Sequence, residues 1–64
     1  MVTVKDIRAA TGLSQARFAA LTGIPHRTIE DWERGIRTPA PYMLPMLAAY
    51  LREHGYIINE EEED

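Results

Sequence analysis

The connection between two short helix-forming segments constrains the fold of this chain more than any other feature. One segment, QARFAAL, follows Ser14, and the other, HRTIEDWER, follows Pro25. Only about three residues join them, and one is Gly23, which can take a positive φ at little steric cost. A short glycine-containing turn between two helices predicts a pair packed across each other at a steep angle.

Capping residues predict the remaining helices and an all-α fold of four to five short helices. Thr3 and Asp6 have the spacing of a capping box, and Ser14 and Pro25 suit the starts of two further helices. Glycines stand where all four helices should end. The first three predicted helices cover about residues 4–10, 15–22 and 25–34, and Gly35 follows the third. The fourth runs from Pro41 or Tyr42 to His54, with Pro45 in its first turns. We expect one domain over residues 1–55, and an acidic, flexible tail over residues 56–64.

The charge of the chain is divided between a basic body and an acidic end. The net charge is −3, but residues 1–54 carry seven Lys or Arg against five Asp or Glu, whereas residues 55–64 carry five acids and no base. A run of acids is usually solvated, so the overall charge says little about what the body binds. The chain has no cysteine, which fits a reducing cytoplasm, and we expect neither a signal peptide nor a membrane span.

The stretch GLSQARFAALTGIPHRTIEDWERGIRTP resembles the helix-turn-helix of the Cro and phage-repressor type, also called XRE-like. The residues that carry the resemblance are Gln15, Ala19, Gly23, Ile24, Ile29, Trp32 and the sequence WERG followed by Pro39. It implies a lambda-repressor-like domain that binds double-stranded DNA, in a cytoplasmic regulator encoded by a bacterium or phage. The chain departs from the family pattern at Pro25 and His26, where members often carry Ser or Thr and then Gln.

The third helix has one apolar side and one polar side when its residues are spaced at 100°. Ile29 and Trp32 should face the core, and the resemblance implies that the polar side enters the major groove. We expect Asp31 and Glu33 toward the flanks of that side. The predicted base contacts are His26, Arg27 and Glu30, and the predicted phosphate contacts are Gln15, Arg17, Thr28, Arg34, Arg37 and Thr38.

Each of these roles has a simpler alternative. Arg27 can pair within the helix with Asp31 or Glu30 instead of reading guanine. Glu30 can pair with Arg34 instead of accepting from cytosine, and His26 can be merely solvated. Two of the arginines assigned to phosphate are expected to be ordinary surface charges.

The fourth helix has a second apolar side that the DNA-reading motif does not explain. Leu44, Leu47, Ala48 and Leu51 should face the core. An opposite apolar side suggests a partner, and a homodimer would present two reading helices to half-sites about one DNA turn apart. The alternatives are packing against the domain's own tail, or an antitoxin-like module that binds a toxin or other protein partner. The predicted interface residues are Tyr42, Met43, Met46, Tyr50, Tyr56, Ile57 and Ile58.

The sequence gives little support to catalysis. His26 and His54 are isolated, and without cysteine they make a zinc site improbable. No glycine-rich phosphate loop or nucleophile elbow is present. We therefore expect no enzyme activity, no cofactor and no metal.

Overall fold

The computed structural model describes residues 2–58 of the chain, and four α-helices make up most of that range. They are α1 (Val4–Thr11), α2 (Gln15–Thr22), α3 (His26–Arg34) and α4 (Met43–Glu53). Residues 2–58 contain no β-strand. The prediction of an all-α fold is confirmed, and the predicted helix boundaries agree to within one or two residues.

The first two helices begin at the capping residues that the sequence predicts. The Asp6 N–H donates to Thr3 Oγ1 at 3.1 Å, and the Thr3 N–H donates to Asp6 Oδ2 at 3.0 Å, which is a complete capping box. Ser14 Oγ accepts from the Arg17 N–H at 3.2 Å. These contacts satisfy donors that helix N-termini otherwise leave unpaired.

The core lies where all four helices meet. Its largest fully buried side chains are Ile7 of α1, Phe18 of α2, Ile29 of α3 and Leu51 of α4. Each helix therefore contributes one large apolar residue to a single cluster. Trp32, Leu21 and Leu44 are partly buried against that cluster, as is Met43, which the sequence had placed on the opposite side of the last helix.

The start of α4 shows how a proline is accommodated. Residues 40–43 form a turn, in which the Met43 N–H donates to the Ala40 carbonyl at 2.9 Å. Pro45 is the third residue of the helix. The first turn of a helix has no internal acceptors for its N–H groups, so Pro45 removes no helical hydrogen bond there.

The chain stays packed beyond the predicted domain boundary at residue 55. Tyr56 is half-buried against the core, Ile57 is exposed and Ile58 is 3% exposed within the core. Arg52 donates to the Ile58 carbonyl through Nε at 3.0 Å and Nη2 at 2.6 Å. The packed domain therefore continues through Ile58. The predicted flexible tail otherwise lies outside the described residues.

Candidate nucleic-acid interface

The turn between α2 and α3 is short and left-handed at its glycine. Gly23 has φ of 79°, and its N–H donates to the Ala19 carbonyl at 2.8 Å. Thr22 Oγ1 donates to the Phe18 carbonyl at 2.8 Å and accepts from the Ile24 N–H at 3.3 Å. Ile24 of the turn and Ile29 of α3 pack into the core. The polar side of α3 therefore faces outward.

The outward side of α3 carries two arginines that have no ion-pair partner in the described range, residues 2–58. His26, Arg27 and Arg34 are exposed, and Glu30 is half-buried. Within residues 2–58, neither Arg27 nor Arg34 makes an ion pair. The alternative in which Arg27 is paired along the helix with Asp31 or Glu30 is therefore not the observed arrangement.

Glu33 does not lie on a flank of α3, contrary to the expectation from sequence. Its side chain is only 6% exposed and accepts two hydrogen bonds from Arg8, from Nε at 2.7 Å and from Nη2 at 3.0 Å. Arg8 also donates through Nη1 to the Leu13 carbonyl at 2.9 Å. This fork geometry joins α1 to α3 and neutralises Glu33 inside the domain.

The contact with Arg8 changes the titration of both groups. The hydrogen bond from Arg8 lowers the pKa of Glu33, helped by a hydrogen bond from Gln15, although burial acts in the opposite direction. The same contact raises the pKa of Arg8. Glu33 is consequently a carboxylate at neutral pH and can only accept hydrogen bonds.

The second flank acid, Asp31, has a partner in the loop that follows α3. Its side chain is 16% exposed, and Arg37 Nε lies 3.7 Å from Asp31 Oδ2. The Asp31 carbonyl also accepts from the Ile36 N–H at 2.9 Å. The side chain of Arg37 remains 70% exposed, so this contact is an open one and Arg37 stays accessible.

Three polar side chains meet at the point where α2 and α3 begin. Gln15 Nε2 donates to Glu33 Oε1 at 3.0 Å, and Gln15 Oε1 lies 3.3 Å from His26 Nε2. His26 Nε2 is also 3.7 Å from Glu30 Oε2. The structure thus brings together Gln15, His26 and Glu30. The neighbour of Glu30 is His26 and not Arg34, the partner considered from the sequence.

The other residues assigned to phosphate from the sequence are spread over three segments. Arg17 is exposed in the first turn of α2, Arg34 is exposed in the last turn of α3, and Thr38 is exposed in the following loop. Thr28 is half-buried on α3. These positions are accessible except for Thr28, whose side chain is partly committed to packing.

Sequence reasoning missed Arg8 and Glu33 as a partly buried ion pair between α1 and α3. The helical wheel contained the signal, because Glu33 follows Ile29 by four residues and therefore lies about 40° from it on the inner side. An acid at such a position requires a partner. The wheel cannot name that partner, because Arg8 is 25 residues away in the chain.

Part of the second apolar side of α4 is exposed. Tyr42, Met46 and Ile57 are 63%, 58% and 88% exposed. Tyr50 is less free, because its hydroxyl donates to the Leu21 carbonyl at 2.9 Å. Ile58 has to be removed from the predicted interface, since it is buried in the domain's own core. A shallow apolar groove runs beside these residues, lined by Thr22, Ile24, Met43, Met46, Leu47 and Tyr50.

This geometry, an outward polar helix held by a short turn against a second helix, defines a helix-turn-helix domain. The helix-turn-helix family model matches residues 4–56. The chain belongs to this family, the Cro-type or XRE-like group of DNA-binding regulators. Comparisons with curated proteins and with solved structures give no match.

Within residues 2–58, no helix is long and apolar enough to cross a membrane. No group of three or more His, Asp or Glu side chains is arranged in that range to hold a metal ion.

Proposed function

We propose that the chain is a sequence-specific transcriptional regulator whose α3 lies in the major groove of double-stranded DNA. The observation that carries this proposal is the pairing of the acids of α3. Glu33 is bonded to Arg8 and Asp31 lies near Arg37, whereas Arg27 and Arg34 make no ion pair within residues 2–58. Of the three acids of α3, only Glu30 therefore faces outward without a basic side chain of the domain as its main partner. The outer surface of α3 is consequently more positive than the sequence suggests.

Base readout is assigned to the N-terminal half of α3. Arg27 is exposed and can donate two hydrogen bonds to guanine O6 and N7. Glu30 can accept from a cytosine amino group. His26, in the first turn, is placed to meet a base edge. Recognition helices of this kind contact bases mainly through their N-terminal residues, which is where these three side chains lie.

Contacts with the DNA backbone are assigned to residues on α2, on α3 and in the loop that follows α3. Gln15 is the first residue of α2, where free N–H groups attract phosphate. Arg17, Arg34, Arg37 and Thr38 are exposed at the ends of α2 and α3 and in the loop after α3. Thr28 completes the set, with its side chain half-buried. Phosphate contacts of this type fix orientation on the duplex and carry no sequence information.

The regulator is further proposed to act as a homodimer on a palindromic operator. The support is the apolar groove lined by Met43, Met46 and Tyr50, together with the exposed apolar side chains of Tyr42 and Ile57. One chain supplies one reading helix, α3. Two half-sites one DNA turn apart therefore need two copies.

Paired substitutions test the assignment to DNA. DNA selected from a randomised duplex pool supplies the probe, and binding is measured at several salt concentrations. Arg27→Ala should relax the preference at one base pair by about 1–3 kcal/mol. Arg37→Ala should weaken binding to every sequence alike and reduce the salt slope by about 1.

The control is Lys5→Ala, which removes an exposed positive charge from α1 and should leave both quantities unchanged. If Arg27→Ala binds all single-base variants with the wild-type preference, α3 is not the reading helix as proposed.

A second candidate function is supported by the same apolar surface of α4. It is a protein-interaction module of antitoxin type, in which this surface and the acidic end of the chain bind a toxin or another protein. Binding to DNA that falls steeply as salt rises would favour the regulator. A chain that binds no DNA and associates with a protein through Met46 would favour the module.

A further inference from the structure

The hydrogen bonds around His26 determine which of its ring nitrogens carries the proton. Arg8 holds Glu33 as a carboxylate, and a carboxylate only accepts. The Gln15 group that lies 3.0 Å from Glu33 Oε1 must therefore be the amide NH₂. The amide oxygen of Gln15 then points to His26 Nε2 at 3.3 Å, so Nε2 must be the donor.

The outward nitrogen of His26 has the opposite character. Within residues 2–58, Nδ1 has no hydrogen-bond partner, and the ring lies on the exposed side of α3. In the neutral ring with a proton on Nε2, Nδ1 is an acceptor. Acceptors on a protein match the exocyclic amino groups of cytosine and adenine in the major groove.

Protonation changes this outward nitrogen alone. In imidazolium both nitrogens donate, so the contact with Gln15 is kept and the nearby Glu30 carboxylate at 3.7 Å gains an opposite charge. Gln15 from α2 and Glu30 from α3 are the polar groups that face the ring, with Glu33 and Arg8 behind Gln15. Nothing in these contacts requires the side chain to move.

We infer that the chain of contacts from Arg8 through Glu33 and Gln15 fixes His26 as the Nε2–H tautomer. Its Nδ1 thereby selects a base amino group, and protonation reverses that preference toward guanine acceptors. This inference rests on the proposed DNA-reading function, which it makes more specific. Lower pH favours the protonated ring, so the base preference should depend on pH.

The other histidine of the chain provides an internal reference. His54 Nδ1 lies 2.9 Å from the Tyr50 carbonyl, which only accepts. His54 must therefore carry its proton on Nδ1. The two histidines are expected to hold opposite tautomers in one molecule.

Long-range proton–nitrogen correlation spectra of the labelled full chain test the tautomers without DNA. At about pH 8, where histidine is mostly neutral, His26 should give the Nε2–H pattern and His54 the Nδ1–H pattern. Gln15→Ala, which leaves the contact of Arg8 with Glu33 in place, should convert His26 into a mixture. A His26 proton on Nδ1, a wild-type mixture, or no effect of Gln15→Ala overturns the inference.

Selection from a randomised duplex pool at about pH 8, followed by binding at about pH 6, tests the preference. At one position a cytosine or adenine preference of about fivefold should weaken or reverse at the lower pH. His26→Gln should abolish the pH effect, and the matched variant His54→Gln should keep it.

The outcomes separate the two claims. If a sequence is selected but its preferences do not change with pH, or His26→Gln keeps the change, the inference is wrong while the proposed function stands. If no sequence is selected, the proposed function is wrong, and so is base reading by His26. The tautomer of His26 is then tested by the spectra alone.

Discussion

At the scale of single residues, the contact between Arg8 and Glu33 has the largest consequences. Glu33 is 6% exposed and Arg8 is 19% exposed, so both charges are largely removed from water. Such a pair contributes little compared with an apolar pair of the same volume, but removing one partner leaves a partly buried charge without its main partner. Losing one of the two residues should therefore destabilise the fold more than replacing both by apolar residues.

This dependence predicts the result of a double-mutant cycle. Arg8→Met should lower the free energy of unfolding by about 1–3 kcal/mol, the range for leaving a partly buried acceptor without its partner. The double variant with Glu33→Met should lose clearly less, because no charge is left unpaired. Urea denaturation followed by far-UV circular dichroism measures both, and equal losses in the two variants would contradict the prediction.

The lowered pKa of Glu33 predicts how stability depends on pH. A carboxyl group whose pKa is lower in the folded chain than its ordinary value of 4.5 stabilises the fold above that value. This stabilisation disappears as pH falls through the folded-state pKa. Between pH of about 5 and 3, the free energy of unfolding should therefore fall more steeply for the wild type than for Glu33→Gln.

The control for this titration is Glu53→Gln, which changes an exposed glutamate at the end of α4. It should follow the wild-type slope. Equal slopes for the wild type and Glu33→Gln would mean that Glu33 is not stabilised by Arg8 as described.

At the scale of helices, local rules account for most of what the sequence predicts correctly. The capping box at Thr3, the cap at Ser14 and the glycines after each of the first three helices act over four residues or fewer. Such contacts can be read from spacing alone. The burial of Ile58 was not predictable in this way, because its packing depends on residues brought together only by the fold.

The glycine in the turn between α2 and α3 gives a prediction at this scale. A Cβ at Gly23 would meet no atom within 4 Å, so only its φ of 79° resists substitution. Gly23→Ala should therefore cost about 1–2 kcal/mol in free energy of unfolding. Gly23→Asn should cost less, because asparagine tolerates this conformation better. Thermal unfolding of the two variants ranks them, and an equal loss would point to a cause other than backbone strain.

At the scale of the whole molecule, the small size of the chain links stability to association. A domain of this length buries only about 60% of the surface of its unfolded chain, so stability is expected to be marginal without a partner. The helix-turn-helix architecture was predictable because its turn is local in sequence. The partner surface on α4 was only partly predictable, since Met43 and Tyr56 pack against the core and Tyr50 bonds to α2.

If the chain dimerises through α4, the folded state should become more stable as the protein concentration rises. The Tm of the wild type should rise as protein concentration increases, and light scattering should give a mass of two chains. Met46→Glu, which places a charge in the exposed apolar surface, should give one chain and a Tm independent of concentration. The matched control Ala9→Glu, exposed on α1, should behave as the wild type. A wild-type mass of one chain at high micromolar concentration would contradict the dimer.

The position of the buried polar contacts also determines how the binding preference of this domain can be redesigned. Arg27 and Arg34 are exposed and make no ion pair with any other residue in the described range 2–58, so their substitution should change mainly the outer surface. Gln15 touches both Glu33 and His26, so replacing it alters the interior and the outer surface together. A library aimed at new target sequences should therefore vary Arg27 and Glu30 freely, vary His26 only with Gln15 retained, and keep Arg8 and Glu33 unchanged.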